Sequence, residues 1–212
     1  MSSKTKHVWY ASYGSNLLES RFLCYILGGL PEGAQKTNPG CTDKTLPLDS
    51  KAITINSELY FAKRAKRWDA GGVGFIDPEL TENVQTYGRM YLITKEQFVE
   101  VVQQENQITE ALPIDFQKAQ DEGSLIVRED SWYGKLLFIG DQEGHPIFTF
   151  TNENMLNDEI NPPSEGYLLT LINGLKETYG LSEDELKAYF EKKLGITGFE
   201  IEERLTEIVK QR

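Results

Sequence analysis

The sequence predicts an α+β fold, and three observations carry that expectation. Short strand-like runs crowd the first two thirds of the chain, helical patterns fill its end, and strands and helices do not alternate as a parallel sheet requires. At 212 residues the chain is long enough for one well-buried core and short for two, so a single domain over residues 1–212 is expected. Its 39% hydrophobic content, with ten Phe, ten Tyr and three Trp, is enough apolar material to offset the entropy of ordering it.

Residues 7–13 alternate as a strand does, and the next segment sets Leu17, Leu18, Phe22 and Ile26 at helical intervals. Asn16 followed by Glu19 has the spacing of a capping box. From 28 to 51 the composition turns to Gly, Pro, Thr and Asp, which predicts a long surface loop. Its Gly28-Gly29-Leu30-Pro31-Glu32-Gly33 stretch is no phosphate loop, since no Gly-Lys-Ser/Thr follows. Strands are expected at 52–55, 58–62, 72–76, 86–93, 134–139 and 146–150, many and short, as in a barrel or sandwich. Helices are expected at 95–106, at 165–179 with Gly180 as the stop, at 183–193 behind the capping pair Ser182 and Glu185, and at 201–210. The Asn- and Asp-rich stretch 151–163 connects them, and no internal repeat is present.

Lys and Arg total 22 against 33 Asp and Glu, and the net charge of −11 opposes nucleic-acid backbones and anionic membranes. The one basic patch, Lys63-Arg64-Ala65-Lys66-Arg67, is short and expected at a solvated strand end or loop. Cys24 and Cys41 lack CxxC spacing, and no signal peptide or long apolar run is seen, so a reduced cytoplasmic protein is expected. His7 and His145 stand far apart, which argues against a histidine-rich zinc centre; a metal enzyme would need carboxylates alone.

Two places could carry chemistry. Gly14-Ser15-Asn16 breaks the first strand just before a helix: glycine suits a tight turn and asparagine a cap, but amides at such a turn also hold anions. In the 95–106 helix, with Thr94 as N-cap and Gln97 at the capping-box position, Phe98, Val101 and Val102 define the buried stripe. Glu105 falls angularly between Val101 and Val102 and is aimed inward. Either the last turn frays and Glu105 reaches water, or it is a buried general base whose desolvation raises its pKa toward working pH.

These two places coincide with a resemblance. Tyr10-Ala11-Ser12-Tyr13-Gly14-Ser15-Asn16-Leu17 resembles the N-terminal Tyr-Gly-Ser-Asn-Leu signature of the γ-glutamylcyclotransferase-like family. Trp68-Asp69-Ala70-Gly71-Gly72-Val73 is similar to its Trp-x-Gly-Gly turn and strand, and Tyr87-Gly88-Arg89-Met90-Tyr91 to its Gly-containing strand before a helix. Pro162-Pro163-Ser164-Glu165-Gly166-Tyr167-Leu168 resembles the Pro-Ser-x-x-Tyr start of its late helix. The likeness covers about residues 8–180 in patches.

The resemblance implies a small mixed β-barrel flanked by helices. It implies release of 5-oxoproline from a γ-glutamyl peptide or amine without a cofactor, with a small-molecule γ-glutamyl ligand as partner. It puts Glu105 in the catalytic place and Tyr10, Ser12, Tyr13, Gly14, Ser15, Asn16 and Tyr167 around the substrate. Away from the family, Tyr167 reads equally as core, and Tyr10, Ser12 and Tyr13 as strand packing. This chain departs from the pattern at Ser12, usually alanine, and around Glu105, where many members have an acidic residue three positions earlier and a glycine after. The 28–51 loop looks enlarged and the last helices extend beyond the usual core, so the loop is a candidate for choosing the leaving group. A non-catalytic γ-glutamyl binder on the same scaffold is the alternative, and a structural module using the acidic tail a third reading.

Overall fold

A computed structural model describes residues 6–31 and 37–211. Its strands are β1 (His7–Ser12), β2 (Ser50–Ile55), β3 (Leu59–Ala65), β4 (Gly71–Ile76), β5 (Thr86–Thr94), β6 (Ser124–Ile126), β7 (Lys135–Gln142) and β8 (His145–Thr151). Six of them make one sheet in the order β2-β5-β1-β8-β7-β6, and β3 and β4 form a separate antiparallel pair. The α+β class holds, but the expected barrel is not a closed ladder. β2 and β6 stand at opposite edges of the large sheet, and the hairpin is joined to neither.

The period-two pattern of β1 explains the layering. Trp9 and Ala11 belong to one buried cluster, Val8 and Tyr10 to another, so both faces of the strand must be covered. Pairing places it centrally: Tyr10 lies opposite Tyr91 in antiparallel β5 and opposite Phe148 in parallel β8. The neighbours divide in the same way, with Met90 and Leu92 on the first side and Tyr91 and Ile93 on the second.

Helices α1 (Glu19–Leu27), α2 (Lys95–Asn106) and α3 (Phe116–Glu122) cover the Tyr10 side through Phe22, Phe98 and Phe116. The hairpin and helices α4 (Glu165–Tyr179), α5 (Glu183–Phe190) and α6 (Glu200–Ile208) cover the Trp9 side. α3 escaped the sequence reading because only Phe116 and Ala119 are buried in it; its punctuation is the Asp115 side chain, which accepts from Lys118 N at 3.0 Å, and Gly123 with φ of 76°. α5 stops at Phe190 rather than 193, where the chain turns so that Lys193 Nζ meets Glu58 at 3.4 Å.

The Thr94/Gln97 and Ser182/Glu185 capping boxes both form. The Asn16/Glu19 box does not: residues Ser15–Leu17 make a 3-10 turn, Leu18 takes the cap position of α1, and no side chain caps it. Asn16 is instead buried and turned to another use. The basic patch lies, as expected, at a solvated strand end and turn: β3 runs to Ala65, with Lys63 at φ of 66° and its Nζ 2.5 Å from Glu159, a 3-10 turn at Lys66–Trp68 follows, and Arg64, Lys66 and Arg67 are exposed.

Cys41, Thr42, Asp43 and Thr45 of the long loop bond to α1 and α2, Leu48 and Asp49 bond to Leu92 of β5, and residues 32–36 fall outside the described residues. Cys41 is buried and donates its S–H to Tyr25 O at 3.2 Å, while Gln97 Nε2 donates to Asp43 O and Thr45 O at 3.1 and 2.7 Å. The loop thus clamps the first turn of α2. Among the described residues no helix is long and apolar enough to cross a membrane.

α4 seats the Ser15–Leu17 turn by close backbone approach. At Gly174 a Cβ would lie 2.6 Å from Leu17 Cβ and 2.7 Å from both Leu17 C and Leu18 N. Alanine in a helix normally gains about 1 kcal/mol over glycine, but here overpacking against backbone costs about 1–3 kcal/mol. Gly174→Ala should therefore lower the midpoint of urea unfolding; a raised midpoint would show that the turn is not held in this way.

Candidate active site

β1 ends at Ser12 and delivers the chain into the turn between the two cores. Leu17 N donates to Gly14 O at 2.9 Å, closing the turn, and Tyr91 OH donates to Asn16 O at 2.8 Å from β5 beneath it. Gly14 has φ of −105° and ψ of −148°, and a Cβ there would stand 3.2 Å from Tyr167 Oη, a tight contact that asks its neighbour to give by a few tenths of an ångström.

α2 does not fray at its C-terminal end. Gln107 closes it in the left-handed region, its N–H reaching Gln103 O and Gln104 O. Asn106, where glycine was expected from the resemblance, acts as a clasp. Its Nδ2 donates to Tyr133 O at 3.1 Å, and its Oδ1 accepts from Tyr133 N at 3.3 Å and from Ser131 Oγ. Glu105 is consequently held inward with its side chain 9% exposed. It is not surrounded by apolar groups as the desolvation argument supposed. Asn16 Nδ2 donates to its Oε1 at 3.2 Å, and Arg67 Nη2 stands 3.6 Å from its Oε2.

A narrow cleft of about 40 Å³, open to solvent on one side, joins these parts. Tyr10, Ser12, Tyr13, the Gly14-Ser15-Asn16 turn, Glu105 and Tyr167, all expected from the sequence, line it together. No described residue of the 28–51 loop does, which removes that part of the loop from the cavity wall.

The hydroxyls differ in what they have left to offer. Tyr13 OH donates to Phe150 O at 2.7 Å and Tyr133 OH to Gly74 O at 3.1 Å, so both are spent on the frame. Tyr167 OH accepts from Gly74 N at 2.9 Å and keeps its own proton to donate. Burial pushes Tyr10, Tyr13 and Tyr133 well above the usual phenol range, and Tyr167 up to about 12 against the pull of the Gly74 N–H. All four are neutral donors near pH 7. Among the described residues no histidine lines the cavity, which leaves Glu105 as the lining group able to take up a proton there.

The sequence reading missed two arginines. Arg67 lines the cavity from the 3-10 turn beside Trp68, although the basic patch was expected to be solvated. Arg21 on α1 is 5% exposed, with its guanidinium carbon 4.6 Å from the Trp68 ring centroid. Its signal was present: Arg21 sits one turn before Tyr25 and next to Phe22, on the buried stripe of α1. Among the described residues no group of three or more His, Cys, Asp or Glu could hold a metal.

No protein-family model matches the chain. It is 37% identical over 200 residues to "Histone deacetylase 5" of Arabidopsis thaliana, a match covering 87% of this chain but only 30% of that protein. Among solved structures it is similar to a "Gamma-glutamyl cyclotransferase", at 18% identity and a TM-score of 0.48 over 95% of this chain and 98% of that one. An uncharacterised protein of Homo sapiens matches at 19% and 0.49, over 98% of this chain and 100% of that one. A yeast γ-glutamyl cyclotransferase described as specific to glutathione matches at 14% and 0.37, over 97% of this chain and 96% of that one. At TM-scores below 0.5 these three likenesses carry no functional argument.

Burial of these phenols fixes a pH dependence. Tyr60, like Tyr167, is pushed to about 12 by burial, from an ordinary value of 10.0. A folded value above the unfolded one means that the fold holds the protonated phenol: its stabilisation is complete below about pH 10 and disappears as pH rises toward 12. The thermal midpoint should fall across that window while tyrosinate absorbance rises together with loss of near-UV circular dichroism. Ionisation of all the tyrosines with tertiary structure intact would contradict the burial described.

Proposed function

We propose that the chain is a γ-glutamylcyclotransferase-like enzyme, releasing 5-oxoproline from a γ-glutamyl peptide or amine. The observation that carries this reading is the placement of a single proton-accepting group, Glu105, in the same cleft as the Gly14-Ser15-Asn16 turn, to which Asn16 joins it at 3.2 Å. The N-terminal signature resemblance supplies the substrate class.

The reaction needs little beyond that. The substrate's α-amine is protonated near neutral pH and cannot attack in that form, so Glu105 first removes a proton. The freed amine nitrogen then bonds to the γ-carbonyl carbon of the same molecule, and the carbonyl π-electrons move to oxygen. Amides of the turn and the Tyr167 hydroxyl are the donors available for that oxyanion. Glu105 returns the proton to the leaving nitrogen, the oxyanion's electron pair re-forms the carbonyl as the old C–N bond breaks, and the surplus proton on the ring nitrogen passes by way of Glu105 to the released amine, which leaves as its ammonium with 5-oxoproline; no water is consumed. Holding the glutamyl chain folded for five-membered ring closure supplies much of the acceleration.

A second reading has one observation in its favour. Arg67 Nη2 stands 3.6 Å from Glu105 Oε2, so a cation already flanks the carboxylate that would receive the substrate's ammonium, which suits a protein that holds γ-glutamyl ligands without turning them over.

A panel of γ-glutamyl dipeptides, glutathione and γ-glutamyl amines, scored for 5-oxoproline, separates the two. Turnover is expected with at least one class, and Glu105→Gln should lower kcat by roughly 10²–10⁴-fold, the usual weight of general acid–base catalysis. Equal turnover in both forms would remove Glu105 from the mechanism. Binding without turnover in either would establish the non-catalytic reading.

A further inference from the structure

Among the described residues the β3–β4 hairpin joins no larger sheet, so the outer edge of β4 has backbone groups to satisfy. Alternate residues meet that need with partners from four different places. Gly72 N donates to Pro162 O at 2.8 Å. Ile76 N donates to Thr151 Oγ1 at 3.3 Å, and the same hydroxyl donates back to Ile76 O at 2.6 Å. Between them, Gly74 N donates to Tyr167 OH at 2.9 Å, and Gly74 O accepts from Tyr133 OH at 3.1 Å. One glycine thus holds two phenols of the cleft wall, one from α4 and one from the 131–133 segment. The Tyr167 oxygen has little room to lie elsewhere: a Cβ on Gly14 or on Gly74 would stand 3.2 Å from it, so it sits between the turn after β1 and the edge of β4. Tyr133 is fixed in its turn. Asn106 binds both its main-chain groups, at 3.3 and 3.1 Å, and its ring stacks on Phe75 with centroids 4.9 Å apart. Asn106 directly follows Glu105. A continuous path of hydrogen bonds through Tyr133 and Gly74 therefore runs from the residue beside the carboxylate to the tyrosine hydroxyl in the same cleft.

We propose that Tyr133 is a positioning residue for Tyr167, acting through Gly74, and that the Asn106 clasp uses it to fix the Tyr167 hydroxyl relative to the Glu105 carboxylate. The Tyr133 hydroxyl is committed to Gly74 O and does not meet a ligand. Its influence on chemistry is through the direction of the one proton that Tyr167 has left to donate. A donor aimed in advance at developing charge needs no reorganisation during the reaction, whereas one that has drifted loses most of its effect. The oxyanion role of Tyr167 rests on the proposed function; the linkage of the two phenols through Gly74 does not.

Linkage and turnover are read separately. In protein labelled with carbon-13 at the tyrosine ζ position, the Tyr167 resonance is assigned by its loss in Tyr167→Phe. It should move in Tyr133→Phe and also in Asn106→Ala, which removes no group from the cleft wall. In kinetics on the best γ-glutamyl substrate, Tyr167→Phe should lower kcat roughly 100-fold and Tyr133→Phe roughly 10-fold, because one removes the donor and the other misdirects it. KM should stay within about twofold in both. The double variant should be no slower than Tyr167→Phe alone, since Tyr133 then has no hydroxyl left to position. An unmoved Tyr167 resonance, an unchanged kcat in Tyr133→Phe, a loss falling on KM, or losses that multiply in the double variant would overturn the proposal. Should Tyr133→Phe fail to fold by circular dichroism, Asn106→Ala takes its place in both measurements. No 5-oxoproline from any substrate would overturn the cyclotransferase reading, and the resonance would then decide the linkage alone.

Discussion

The hydrogen bond from Asn16 to Glu105 joins two elements that lie far apart in the chain. It links the turn after the first strand to the last turn of α2, 89 residues later, at 3.2 Å within a largely buried setting. The same Nδ2 also reaches Tyr10 OH at 3.3 Å, so one amide fixes the carboxylate, the strand and the turn at once. Its orientation is determined by chemistry: the oxygen of the side chain cannot face Glu105, and Oδ1 is left buried without a partner. An unpartnered buried acceptor costs about 1–3 kcal/mol. The fold tolerates that cost where the amide is needed to aim the carboxylate.

The surrounding structure serves that contact. α4 presses its glycine face on the turn from one side, and Tyr91 holds the Asn16 carbonyl from the sheet. At the other end, the Thr94/Gln97 box and the loop carbonyls at Asp43 and Thr45 fix the start of α2, while Asn106 fixes its end to the 131–133 segment. The central position of β1, with one core on each face, lets Tyr10 and Tyr13 enter the cavity from opposite layers. An asparagine in place of the expected glycine after Glu105 is thereby explained. This chain ties down a loop at the position where backbone freedom was anticipated, and that loop carries Tyr133 into the cavity wall.

Much of this was legible in the sequence, for physical reasons. Glu105 betrayed itself because a charged residue on an apolar helical stripe must either escape to water or meet a polar partner inside, and the capping box set the phase of that helix. The turn betrayed itself by interrupting a strand with small polar residues. Asn16 was misread as a cap because the Asn-x-x-Glu spacing is local, whereas its partners Tyr10 and Glu105 are set by tertiary packing. The open sheet was hidden for a similar reason, since strand patterns specify faces and not neighbours. Arg67 was invisible because it borders the cavity while staying half-exposed in a solvated turn, and a basic string reads the same whether or not one of its members touches a site.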